Sequence, residues 1–349
     1  MKKKSFFKIS IIYFIAISLV AVIFSLGYLG LIQNEYLSSF LIQVVVMLAI
    51  PLLMYTLLSS KNIKQTFADT GFKKISTSMI LITILLGLVL YFLNSFVADI
   101  FGAIITLFGY EKITTPTIVP LNYEFLLKEL LLTCILPAIC EEFLHRGVVL
   151  FAGKKVKNTR FCLILSSILF GLVHLNINQF FYAAILGILI GYVGLVADSI
   201  IPCMIIHFMN NFLGTFIYYG AKLEWPIASI IQNVTNYIYS NAVTLLVVMF
   251  TSIPLLLLVY KLLVNRLKQE RAKENMRKII NDLGMCNITL AEAQAKIDII
   301  NQILKQRTEL RLLDNTNKEK FKFSEKIFII SSVVLGTLIT ISSFIWGII

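Results

Sequence analysis

The sequence predicts an all-α polytopic membrane protein, and three observations lead there. Hydrophobic residues fill 58% of the 349 positions and charged residues only 14%. Mean hydropathy is +0.85, more apolar side chain than a soluble domain of this size uses. Apolar runs close to spanning length recur nine times, and Lys and Arg collect in alternate connections between them.

The runs cover 9–32, 36–58, 77–97, 126–152, 161–175, 179–196, 200–219, 242–264 and 327–348. The first follows Lys2, Lys3 and Lys4 as a secretory leader would. It is too long for one and ends in LIQNEY without a small-residue cleavage site, so it reads as a retained first helix. Between 98 and 125, FGAIITLFGY is apolar but too short to span, which predicts a separate interfacial or re-entrant helix. Beyond 264 the chain changes in kind. KLLVNRLKQERAKENMRKIINDLG reads as a basic helix closed by Gly284. The next stretch starts with a capping box, Thr289 and Glu292, and carries Ile297, Ile300 and Leu304 at helical spacing. The expected organisation is N-terminal helices and an interfacial loop over 1–125, a four-helix core over 126–219, an additional transmembrane helix within 220–264, a basic helical hairpin over 265–326 and a final transmembrane helix over 327–349.

Charge sets the expected orientation. With the N-terminus in the cytoplasm, 27 of the 31 Lys and Arg fall in cytoplasmic stretches, and only Lys112, Lys128 and Lys222 face outward. The same count places the C-terminus outside, and the expected location is a bacterial plasma membrane. The net charge of +12 therefore suits a cytoplasmic surface against anionic lipid, chiefly at 265–326, and no nucleic-acid partner is expected. The five cysteines, Cys134, Cys140, Cys162, Cys203 and Cys286, show neither disulfide nor CxxC zinc spacing and read as free thiols.

Ionisable groups are costly in hydrocarbon, by roughly 2.5–3.5 kcal/mol each at a helix centre, so those inside the runs need partners or a function. Three clusters stand out, and they hold all three histidines of the chain. In CEEFLHRG, helical spacing turns Glu142 toward Arg146 and Glu141 toward His145. The first pair reads as an ion bridge, which leaves Glu141 as the carboxylate free for chemistry. Pro137, one turn upstream, removes a backbone donor and can kink the helix. In FGLVH, Phe170 and His174 share a face; in HFMNNF, His207 and Asn211 do, with Asn210 turned away. The GxxxG pattern Gly187–Gly191 permits close helix packing but is common in membranes.

A Glu, two His and an Asn suit hydrolysis of a peptide bond. Glu141 takes a proton from water, His174 orients that water or shuttles its proton, and His207 with Asn211 donates to the developing oxyanion. This metal-free arrangement is the preferred one. The alternative is a Zn²⁺ held by Glu141, His174 and His207, with HExxH absent. A membrane scaffold or immunity factor that does not hydrolyse anything is a rival from another class. A proton-coupled transporter is a weaker one, since no inverted repeat supports it.

Glu141-Glu142-x-x-x-Arg146, Phe170-x-x-x-His174 and His207-x-x-x-Asn211, in that order, resemble the three motifs of the CPBP family, which comprises type II CAAX prenyl endopeptidases and bacterial bacteriocin-processing or immunity proteins. The resemblance implies an α-helical intramembrane protease fold and a membrane-associated peptide or protein substrate. It implies catalytic roles for Glu141, His174, His207 and Asn211, with Glu142 and Arg146 supporting them. Members are described both as metalloproteases and as glutamate-dependent. His145 is not a motif position and is read as a support or proton relay.

Overall fold

The computed structural model describes residues 6–111, 123–305 and 320–346. Lys2, Lys3, Lys4, Lys112 and the end of the expected hairpin fall outside them. Twelve helices and no strand occur among the described residues. They are α1 (Phe7–Tyr28), α2 (Glu35–Ser59), α3 (Ile63–Asp69), α4 (Thr77–Leu107), α5 (123–152), α6 (Thr159–Leu172), α7 (Ile177–Ala197), α8 (Ile201–Lys222), α9 (Pro226–Tyr239), α10 (Ala242–Gly284), α11 (Leu290–Lys305) and α12 (Phe323–Trp346). Seven of these are long and apolar enough to cross a membrane by length and composition; α6 is apolar but shorter. With the segmented α5, a helix accounts for most of each of the nine apolar runs among the described residues, the first ending early, at Tyr28.

One expectation is corrected. FGAIITL does not form a separate interfacial helix; it is the last part of α4, which runs unbroken from Thr77 to Leu107. No proline interrupts this run, and Gly102 alone, costing about 1 kcal/mol relative to Ala, does not stop the helix. The stop comes at Gly109, whose left-handed φ of +84° lets the Tyr110 amide turn back to the Ile105 carbonyl. The sequence also gave no separate sign of α9, an additional helix started by Pro226 ahead of α10. Helix α10 continues without a break across 264/265, so its apolar and basic parts form one rod ending at Gly284. Helix α11 begins with the Thr289–Glu292 capping box and packs back on it through Ile279, Ala293 and Ile300, while Leu304 stays exposed.

Two helices depart from α-helical winding. Leu41–Ala49 in α2, and Leu130–Ile135 and Phe143–Ala152 in α5, have the wider i→i+5 hydrogen bonding. Such π turns re-aim side chains and recur at functional sites. In α5 they flank the short α-helical piece Leu136–Glu142 on both sides.

Lysines from separate connections meet acidic groups at one end of the bundle. Asp69 takes Lys61 and Lys155, Asp198 takes Lys73 and Lys154, and buried Glu325 takes Lys157 at 2.9 Å and the Phe6 amide at 2.9 Å. Burial acts to raise the Asp69 and Asp198 carboxyls, but the lysines beside them outweigh it and hold both below the usual carboxylate range. At the other end the Ile177 amide donates to Ser343 and the Asn178 amide to Tyr110. Five lysines from two of the basic connections thus meet three acidic groups in the fold.

The core that positions the polar clusters is the contact of α6 with α7. A Cβ on Gly187 would lie 3.1 Å from the Ser167 backbone, and one on Gly171 would lie 2.6 Å from the Phe180 carbonyl. Only glycine allows the two helices this approach, as the Gly187–Gly191 spacing suggests.

Candidate active site

Helix α5 brings Glu141 and Glu142 to the middle of the bundle as adjacent residues with different surroundings. Glu142 is fully buried. Its Oε1 accepts from Arg146 Nη1 at 2.8 Å, one turn on, and from His207 Nδ1 at 2.9 Å, on α8. Arg146, also fully buried, lays its guanidinium 4.3 Å from the centre of the Phe170 ring and donates from Nη2 to the Gly187 carbonyl at 3.3 Å. A buried carboxylate and guanidinium are tolerated only when neutralised and held by further donors and acceptors. Here α5, α6, α7 and α8 all contribute.

Glu141 faces elsewhere. Its Oε1 accepts from Gln43 Nε2 of α2 at 2.7 Å, while Oε2 is buried with no hydrogen-bond partner among the described residues. The expected approach of the Glu141 side chain to His145 does not occur. The His145 ring instead donates from Nδ1 to the Glu141 backbone carbonyl at 2.8 Å. A ring at i+4 lies over the carbonyl of the preceding turn, and Gln43 draws the carboxylate away. Tyr13 donates its hydroxyl proton to the Leu169 carbonyl at 2.7 Å and sets its ring edge-on to His145 at a centroid distance of 5.6 Å, and these contacts tie α1 to α6 and α5.

The three imidazoles surround one ring. Phe170 makes edge contacts with His145, His174 and His207 at centroid distances of 5.2, 5.2 and 5.5 Å. His174 donates from Nδ1 to the Phe170 carbonyl at 2.7 Å. With Nδ1 of His174 on a carbonyl and Nδ1 of His207 on a carboxylate, each must carry its proton there. Nε2 is then the nitrogen each ring presents for further chemistry. His174 stands at the end of α6, where Leu175 takes a left-handed φ of +52°, a costly state for a branched side chain.

Asn211 reaches α5 through a defect made by proline. Pro137 has no N–H to offer the carbonyl four residues back, which is Thr133. Asn211 Nδ2 donates to that carbonyl at 2.8 Å. Asn210 is not turned away as the helical spacing suggested: its amide lies beside Asn211 at 3.3 Å and lines the same cavity. The left-over Nδ2 proton of Asn211 is what this residue can offer a reacting group.

Gln43 and Tyr13 were not singled out from the sequence. Gln43 did leave a signal, as the only side-chain amide or charge within the run 36–58. Tyr13 left none, since a tyrosine in an apolar helix is ordinary. For a metal, the suggested set Glu141, His174 and His207 does not converge: among the described residues no three His, Cys, Asp or Glu side chains form a group able to hold an ion. As arranged, the residues do not fit that role.

Residues 123–213 match the family model for the Type II CAAX prenyl endopeptidase Rce1-like family, the family to which the three motifs point. The match runs from the start of α5 to just past Asn211 and contains all seven motif residues. No curated protein and no solved structure matches the chain.

Proposed function

We propose, taking the Rce1-like domain at 123–213 as the premise, that the chain is an intramembrane endopeptidase that hydrolyses a peptide bond of a membrane-associated substrate. The observation that carries this reading is the difference between the two adjacent glutamates. Each keeps one buried oxygen without a partner among the described residues, but Glu142 is neutralised by Arg146 and orders His207 through its other oxygen, whereas Glu141 has only the neutral Gln43 amide on its own and no cation among those residues to hold it. A carboxylate in apolar surroundings with one free oxygen is suited to take a proton from water.

In this reading Gln43 fixes one Glu141 oxygen so that the other points to a single place. His174, locked by the Phe170 carbonyl, orients the attacking water through Nε2 or receives its proton. The remaining Asn211 Nδ2 proton meets the oxyanion, and His207 reaches it through Nε2, donating there when that nitrogen carries a proton, with the developing negative charge of the oxyanion offsetting the imidazolium. The water oxygen bonds to the carbonyl carbon, and the C–N bond breaks as the nitrogen takes the proton that Glu141 removed. No step requires a metal. The basic end is assigned to the cytoplasm, with the Lys-rich surface of α10 against anionic lipid.

The test is cleavage of a fluorogenic membrane-anchored peptide by the purified protein in nanodiscs, with products identified by mass. Wild type should release a peptide with a new carboxyl terminus and Glu141→Gln should not. Undiminished cleavage by Glu141→Gln would refute the mechanism.

A further inference from the structure

Beside Asn211 an open cavity of about 540 Å³ lies between four helices, lined by Tyr91, Asn94, Thr133, Tyr182, Asn210 and Thr215 among others. Its lining is unusual for helices in hydrocarbon: amides and hydroxyls predominate, and no lining residue carries a charge. The amides form a directed chain. Asn94 Nδ2 of α4 donates to Asn210 Oδ1 at 3.3 Å, Asn210 Nδ2 to Asn211 Oδ1 at 3.3 Å, and Asn211 Nδ2 to the Thr133 carbonyl at 2.8 Å. Each amide nitrogen uses one of its two protons in this chain, so one proton per asparagine is left over. The chain also starts with an acceptor, Asn94 Oδ1, that it does not employ.

We propose that this amide chain is the subsite that holds the main chain of the substrate beside the bond to be cut, and that Asn94 and Asn210 are positioning residues. The inference rests on the protease reading and adds to it the chemistry of the substrate segment. Neutral donors with a neutral acceptor match the alternating C=O and N–H groups of an extended peptide. They do not match a charged side chain, for which no lining residue supplies a counter-ion. The segment bound there is therefore uncharged, and Asn211 links it to the hydrolytic centre because His207 lies one turn away on α8. Polar groups on four membrane helices are also costly unless something uses them.

The experiment measures binding, so that it stands apart from hydrolysis. The Glu141→Gln protein in phosphatidylcholine nanodiscs is titrated with a fluorescein-labelled, N-acetylated decapeptide amide of Ala, Leu and Val. Adding Asn94→Leu should raise Kd about five- to tenfold, the loss expected for one or two hydrogen bonds, and Asn94→Gln should recover part of it. A probe with one main-chain N–H replaced by an ester oxygen, at the position that meets Asn94, should bind more weakly to the parent protein. It should bind no more weakly than the amide probe to Asn94→Leu, a discrimination that a merely structural role would not produce. A probe with two central lysines should bind at least tenfold more weakly than the neutral one. If no ester position is sensed, if Asn94→Leu binds like its parent, or if no saturable binding occurs, the subsite is wrong. Should Asn94→Leu fail to fold, Asn210→Ala is read the same way. Loss of cleavage in Glu141→Gln tests the protease reading independently.

Discussion

Replacing Arg146 with methionine would test how the buried charges are held. The substitution removes the Nη1 donor 2.8 Å from Glu142, the Nη2 donor to the Gly187 carbonyl and the cation over Phe170, in a place with no solvent exposure. Methionine fills most of the volume, so the loss is electrostatic. Removing one partner of a buried ion pair costs about 3–5 kcal/mol, because the remaining charge is left uncompensated. The His207 bond to Glu142 remains and places the expected value near 3 kcal/mol. The assay is thermal unfolding in a mild detergent, paired with Glu142→Gln and with the double variant. Glu142→Gln/Arg146→Met should recover at least half of the loss, since no unpaired charge then remains. A single Arg146→Met variant within 1 kcal/mol of wild type would refute the reasoning. So would a double variant no more stable than the single one.

Other outcomes follow from single contacts. Gln43→Leu removes the donor 2.7 Å from Glu141 and should lower kcat about tenfold or more, as expected for a hydrogen bond to a charged group worth about 1.5–3 kcal/mol, with KM little changed. Gly187→Leu should destabilise by about 1–3 kcal/mol, because even its Cβ would sit 3.1 Å from the Ser167 backbone and 3.3 Å from Arg146; unfolding in detergent reads it. The Asp69 carboxyl lies below its usual range in the fold, so its contribution is present above the unfolded pKa of about 4 and is lost as pH falls through the lower folded value. Asp69→Asn should therefore flatten the decline of Tm below about pH 4, which a Tm series in acidic buffers would show.

Helix existence was legible because hydrocarbon leaves few alternatives: apolar runs of the right length become helices, and each of the nine did. Pairings within one turn were partly legible. The Glu142–Arg146 bridge follows from i,i+4 spacing, and the capping box of α11 follows from Thr289 and Glu292. The same spacing misled for His145, because it fixes which turn a side chain reaches, not which atom of that turn accepts it. Partners from remote helices were illegible in principle. Nothing local to Glu141 says that Gln43, about a hundred positions earlier, supplies its donor, and nothing local to Asn211 says that Pro137 has freed a carbonyl for it. Helix α4 outran its expected end since length limits set by a bilayer do not stop a helix; glycine at 109 does.

The division of labour between the adjacent glutamates is the claim on which the rest depends. Its most direct measurement is the single-turnover cleavage rate of Glu141→Gln in nanodiscs, beside wild type, with equal folding checked by Tm. The rate should fall by about 10²–10⁴, the usual contribution of a general base, while binding of the neutral decapeptide persists. A rate within tenfold of wild type would contradict it.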